Sequence, residues 1–164
     1  MTQLKHTIVV LVADRPGVLN RVASLFRRRG FNIESISVGL TEKKGVSRMT
    51  IVVSGDAAMV EQVRKQLDKV IDVIKLSDIT DESRVDRELA LIKVKTTPQS
   101  RSEIMQIVDI FRANIVDVAA ESLTVEVTGD EDKINSLLNL LRDFGIKEVA
   151  RTGRLAMTRG AVPT

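Results

Sequence analysis

The stretch IVVLVADRPGVLNRVASLFRRRGFNIESISVGL, Ile8 to Leu40, decides how the rest of the chain is read. It opens with an apolar run, Ile8 to Val12, rich in β-branched residues and too short for an independent helix, which is the pattern of a buried strand. Val18, Leu19, Val22, Ala23, Leu25 and Phe26 then recur at helical spacing, Arg21 and Arg27 to Arg29 fill the outer face, and Gly30 sits where a C-terminal cap belongs. A D-R-P-G turn (Asp14, Arg15, Pro16, Gly17) joins the two. From Asn32 to Leu40 the chain is extended, the E-K-K-G segment (Glu42 to Gly45) turns it, and Met49 to Val53 returns it as a hairpin.

Working outward, a second helix is predicted from about Ala57 to Asp68, with Met59, Val60, Val63 and Leu67 on one face, followed by a strand from Ile71 to Leu76. The order is βαββαβ. After a short charged linker, Asp81 to Arg87, the same order returns. Glu88 to Lys95 reads as a strand, Ser102 onward as a helix with Ile104, Ile107, Val108 and Phe111, and Ile115 to Ala119 and Leu123 to Val127 as strands. A helix from Glu131 to Arg142 and a strand from Ile146 to Ala150 complete it. Two dipeptides echo between the copies: Phe26-Arg27 with Phe111-Arg112, and Gly55-Asp56 with Gly129-Asp130. The fold class is therefore α+β in two tandem units, residues 1–80 and 88–164, joined by the linker 81–87. Only the first copy has the D-R-P-G turn; the second reads T-T-P-Q-S-R (Thr96 to Arg101) at that place.

The 164 residues and 43% hydrophobic content suffice for one ordinary domain or two small ones. A βαββαβ unit packs both helices on one sheet face, so the other face needs another sheet, domain or subunit, and an oligomer is expected. No apolar run approaches the roughly 20 residues of a membrane span. The chain has no Cys, and no secretory leader is evident, which points to a cytoplasmic protein.

The formal charge of +3 comes from 25 basic and 22 acidic residues, and Arg27 to Arg29 form the main cluster. Without aromatics for base stacking or a helix-turn-helix, that cluster fits a helix C-terminus better than nucleic acid. The basic residues Arg151, Arg154 and Arg159 read as solvated surface or a subunit contact. Neither catalysis nor metal binding is indicated: there is one His and no thiol, and the pattern of a calcium loop is missing. His6 is expected to be exposed near the terminus.

The D-R-P-G turn stands apart because a strand-to-helix junction leaves backbone N–H groups without intrahelical partners, where an anion such as an α-carboxylate is stabilised. Gly17 permits close approach. Asp14 can receive a ligand ammonium group or cap the first helix, and Asn32 can bond an amino acid's polar end or satisfy a turn.

Three further features carry a resemblance: V-L-x-R-V-x-x-L-F-x-x-R-G-F-N-I-E-S from Val18 to Ser35, S-R-M-T from Ser47 to Thr50, and the D-R-P-G turn itself. V-x-R-E-L-x-L-I-K-V (Val85 to Val94) and E-V-A-R-T-G (Glu148 to Gly153) extend it. With these the chain resembles, over nearly its whole length, the ACT-domain regulatory small subunits of acetolactate synthase. The resemblance implies two ferredoxin-like units, the first an ACT domain, in a noncatalytic subunit. Such a subunit binds and activates the catalytic large subunit and confers feedback inhibition by valine in branched-chain amino acid (valine, leucine and isoleucine) biosynthesis. Thiamine diphosphate, Mg2+ and FAD belong to the large subunit, and this chain is expected to hold no cofactor. In the family the effector lies between two paired ACT domains. Carried over, the site takes Asp14, Gly17, Val18 and Leu19 from one chain and Asn32 and Ile33 from its neighbour in a homodimer.

The second copy, lacking the glycine turn, is given contact with the large subunit or oligomerisation. The alternative reading is a free-standing amino-acid-sensing ACT module acting on a transcription factor or another enzyme. A small ferredoxin-like enzyme such as an acyl-phosphate hydrolase would need an anion loop that the sequence lacks. Copurification with a thiamine enzyme, copurification with a DNA-binding partner, or turnover by the isolated chain separates the three.

Overall fold

The computed structural model describes Leu4–Thr164, and the chain divides into two compact units: residues up to Val85 together with Arg154–Thr164, and Asp86–Gly153. In the first unit, β1 (Lys5–Ala13), α1 (Val18–Arg28), β2 (Asn32–Leu40), β3 (Val46–Ser54), α2 (Ala57–Leu67) and β4 (Val73–Asp78) follow one another. The sheet order is β2-β3-β1-β4, antiparallel throughout. Alternation along β1 sends Ile8, Val10 and Val12 into a core with Val18, Val22 and Phe26 of α1 and Val60, Val63 and Leu67 of α2. His6 shares that parity. It is buried, and neither ring nitrogen has a hydrogen-bond partner among the described residues, so the expectation of an exposed terminal histidine is corrected.

The other face of this sheet is covered from within the chain. Thr7, Val9, Thr50 and Val52 point away from the helices and are nonetheless buried. Over them lies β9 (Leu155–Thr158) with its flanks: Ala156 packs on Val9 and Ile79, the Arg154 guanidinium donates to Thr7 Oγ1 at 2.8 Å, and Arg48 donates to the Ala156 carbonyl. The Arg159 amide donates to the Ser83 carbonyl at 2.8 Å. This closing segment, expected with the second copy, belongs to the first unit. Of the two arginines expected as solvated surface or a subunit contact, Arg159 is exposed while its Nε donates to the Arg84 carbonyl at 3.2 Å, and Arg154 is partly buried against Thr7.

The connection after β4 is also shorter than the expected linker. β5 (Arg84–Lys95) already includes Arg84 to Arg87, because Arg84 folds back to donate to the Ile79 and Thr80 carbonyls and the chain extends from there. The second unit continues with α3 (Arg101–Ile110), β6 (Asn114–Val118), β7 (Ser122–Gly129), α4 (Glu131–Leu141), a 3-10 turn (Arg142–Phe144) and β8 (Ile146–Arg151). Its strands order as β6-β7-β5-β8, repeating the first sheet. Ala90, Ile92 and Val94 of β5 meet Ile104, Val108, Ile134, Leu137 and Leu141 in a second core. Arg151, expected as solvated surface or a subunit contact, is exposed and also forms a bidentate pair with buried Glu88 at 2.6 and 3.1 Å.

The echoing dipeptides separate under this geometry. Asp56 and Asp130 both cap a helix, accepting from the Met59 and Lys133 amides at 2.7 and 2.9 Å, so Gly-Asp marks the same place in each unit. Phe-Arg does not. In α1 the Phe31 amide bonds the Phe26 carbonyl and the Gly30 amide bonds that of Arg27, while in α3 the same two bonds run from Ala113 to Val108 and from Arg112 to Asp109. Phe26 thus corresponds to Val108, and Gly30 (φ 70°) to Arg112 (φ 52°).

Candidate functional site

β1 ends at Ala13, and the chain must reverse to start α1 at Val18. Gly17 makes the reversal at φ 83°, a left-handed conformation in which a Cβ is disfavoured, and occupies the helix N-cap position with no side chain capping the helix. Asp14 is therefore not a cap. Its amide donates to the Gly45 carbonyl at 2.9 Å and its carboxylate accepts from Ser47 Oγ at 3.3 Å, which moors the turn to the β2–β3 hairpin.

A second mooring comes from Asp72, a residue that the sequence reading placed inside a strand and gave no role. It is 3% exposed, just ahead of β4. Its carboxylate accepts from Arg21 Nη1 and lies 3.9 Å from Arg15 Nη1, and its carbonyl accepts from the Ala13 amide at 2.8 Å. The signal was present in the sequence as a lone acid within the apolar run Val70 to Leu76. Arg15 and Arg21 keep much of their surface in solvent, and the first turn of α1 contains no acidic residue. The mouth of the turn is consequently a helix N-terminus over a glycine, with two arginines that share Asp72 at its rim, and its free N–H groups are able to receive an anion.

Not all expected site residues present side chains there. Val18 is buried in the core, so only its backbone is available to a ligand, whereas Leu19 is exposed beside it. Ile33 packs against the same core from β2. Asn32 is exposed and lines a depression of about 350 Å³ with Phe31, Ser54, Asp56 and Met59.

The strand register sets the two groups apart. Ala13 lies opposite Val46, while Lys5, at the other end of β1, lies opposite Ser54, which in turn faces Asn32. The intervening strand spans roughly 27 Å at about 3.4 Å per residue. Asp14 and Gly17 therefore stand at one end of the sheet and Asn32 and Ile33 at the other. A single small ligand cannot touch both groups within one chain.

Beside Asn32, Glu34 is the extra residue of a β-bulge and pairs with Lys5 at 2.8 Å, also accepting from Ser54. Burial raises its carboxyl, but the hydrogen bonds from Lys5 and Ser54 and the charges of Lys5 and Arg154 outweigh this and hold it below its ordinary value of 4.5. Among the described residues, no group of three or more His, Cys, Asp or Glu side chains is placed to hold a metal ion, and no helix is long and apolar enough to cross a membrane.

Comparison with known proteins agrees with the two-unit architecture. Residues 8–75 match the family described as an AHAS small subunit-like ACT domain, and residues 87–160 match the family described as the small subunit of acetolactate synthase. A probable acetolactate synthase small subunit of Archaeoglobus fulgidus is 61% identical over 157 residues, covering 96% of this chain and 98% of the relative. The acetolactate synthase small subunit of Mycobacterium bovis is 55% identical over 160 residues, covering 98% and 95%. A crystal structure of the acetolactate synthase small subunit from Thermotoga maritima superposes with a TM-score of 0.88 at 44% identity, covering 96% of this chain and 99% of that one.

Proposed function

This chain belongs to the acetolactate synthase small-subunit family, and from that premise we propose that it activates the catalytic large subunit and makes it sensitive to feedback inhibition by valine. The observation that carries the proposal is the Asp14–Gly17 turn, a glycine-bearing helix N-terminus whose first helical turn has no acidic residue and which Arg15 and Arg21 rim. Valine offers a carboxylate to those N–H groups and an ammonium to Asp14, while Leu19 supplies apolar surface.

The separation of Gly17 from Asn32 argues for a homodimer in which each site takes the turn from one chain and Asn32 and Ile33 from the other. This is a better reason for a dimer than an uncovered sheet, since β9 covers that face in the first unit. An effector held between two chains regulates only through a different affinity for two ways of packing them. Thiamine diphosphate, Mg2+ and FAD serve the chemistry on the large subunit in the cytoplasm, and the small subunit contributes no reacting group.

Titrating valine into the purified chain by calorimetry, followed by reconstitution with the large subunit, tests the reading. Binding with one site per chain, two per dimer, higher activity on reconstitution and valine inhibition of the complex are expected. A chain that binds no valine and leaves the large subunit's activity unchanged would exclude it.

A further inference from the structure

The first unit has a second concavity, of about 670 Å³, between the β2–β3 hairpin and residues 157–164. Its surface is of two kinds. Leu40, Met157 and Val162 contribute apolar side chains that are 78%, 59% and 79% exposed, a cluster of the sort that marks an interaction site when it is contiguous. Lys43, Arg48 and Lys75 contribute three cations, and among the described residues none has a carboxylate within 4.0 Å. Glu42 is the one acidic side chain among those lining the groove. Arg48 is partly buried there, and desolvation lowers its guanidinium from the ordinary value against the pull of Glu42. A half-buried cation whose only side-chain hydrogen bond among the described residues is to the Ala156 carbonyl lacks a counter-charge that a partner can bring.

We infer that this groove docks an acidic segment of the large subunit, with an aliphatic side chain against Leu40, Met157 and Val162 and carboxylates meeting Lys43, Arg48 and Lys75. The inference rests on the small-subunit reading above and adds the surface that reading lacks. Charge complementarity favours a protein segment over a second copy of this groove, which would set like charges against one another. The position also suits regulation. The hairpin walling the groove is the one to which Asp14 is moored through Gly45 and Ser47, so a ligand at the turn and a partner in the groove act on the same element. The sequence reading gave the partner contact to the second copy, and one wall of the groove is indeed built from residues it had counted there.

Charge reversal at the exposed lysines tests the docking without touching Arg48, which holds the closing segment. The full chain carrying Lys43→Glu and Lys75→Glu should bind the large subunit at least about tenfold more weakly at low ionic strength, with the melting temperature and valine binding of the isolated chain unchanged. Glu42→Lys should shift affinity the opposite way. Wild-type association should weaken with salt, and that of the double variant should be nearly flat. Opposite signs for the two changes cannot come from misfolding. Wild-type association that persists undiminished in the double variant would place the docking surface elsewhere. A wild-type chain that fails to associate at all would remove the small-subunit reading and the groove's role with it.

Discussion

Gly17 is the residue on which the effector reading turns, and the geometry separates two costs of replacing it. A Cβ there would meet only Arg21 Nη2, at 3.8 Å, so space is available and the cost is the left-handed backbone, roughly 1–2 kcal/mol. Gly17→Ala is predicted to lower stability by about that amount and to weaken valine modestly. Gly17→Asp adds a carboxylate that competes for Arg21 and repels the ligand's own. Losing one charge-assisted hydrogen bond costs roughly 1.5–3 kcal/mol. Valine affinity measured by calorimetry should therefore fall at least about tenfold while the reconstituted enzyme stays active and becomes valine-resistant; unchanged inhibition would place the effector elsewhere. Glu34 gives a pH-dependent test. Because its folded value lies below 4.5, it stabilises the fold above that pH and the contribution is lost as pH falls through the folded value. The melting-temperature gap between wild type and Glu34→Gln should be open at pH 7 and close as the pH falls below 4.5. Sequence made the Gly17 turn legible because turn chemistry is local. It left Asp72 unassigned because its partners, Arg15 and Arg21, lie more than fifty positions earlier in the chain, and a lone acid in an apolar run does not say what it pairs with.

Among the elements, the helix ends show why the repeat was readable in outline and misaligned in detail. Apolar periodicity placed the four α-helices and strands β1 to β8 but missed β9, which pairs with β5, and the termini depend on backbone angles that the sequence signals weakly. Gly30 announces its left-handed cap, with Phe31 packing edge-on against Phe26 at 6.2 Å, whereas Arg112 performs the same turn without a glycine. An L residue in that conformation is strained, so Arg112→Gly is predicted to raise stability by about 0.5–1 kcal/mol. The thermal midpoint should then rise by roughly 1–4 °C, readable by calorimetry; a lower midpoint would mean that the arginine side chain matters more than the backbone. In the second sheet, Glu88→Ala strands the Arg151 guanidinium. Breaking a fully buried pair costs about 3–5 kcal/mol, and because Arg151 is 31% exposed a loss nearer about 2 kcal/mol is expected by denaturant unfolding.

For the whole molecule, the sequence conveyed two copies of one plan, and each copy is indeed a unit. What it did not convey is that the first unit is discontinuous. Nothing in R-L-A-M-T (Arg154 to Thr158) reads as belonging to a sheet many residues earlier, because the contacts of Ala156 with Val9 and Ile79 are non-local and its side chain is small. A fragment ending at Val85 should therefore behave less well than a simple two-domain chain would suggest. It exposes Thr7, Val9, Thr50 and Val52, and is predicted to bind a hydrophobic dye and to self-associate in sedimentation. A synthetic peptide of residues 154–164 added in trans should reverse both, and a well-behaved fragment indifferent to the peptide would show the closing segment to be dispensable.

The closing segment also sets the order in which the protein can be finished as it is made. The strand β1 leaves the ribosome well before the residues that seal one of its faces, which emerge about 75 positions after β4 is complete. At roughly 5–20 residues per second, that leaves an unsealed sheet waiting for about 4 to 15 s while the second unit is synthesised and folds in the interval. A sheet made before the second unit thus matures after it, and during nascent-chain growth the second unit acts as a timer on the first. For several seconds the face of β1 is available to whatever helper or sister chain is nearest.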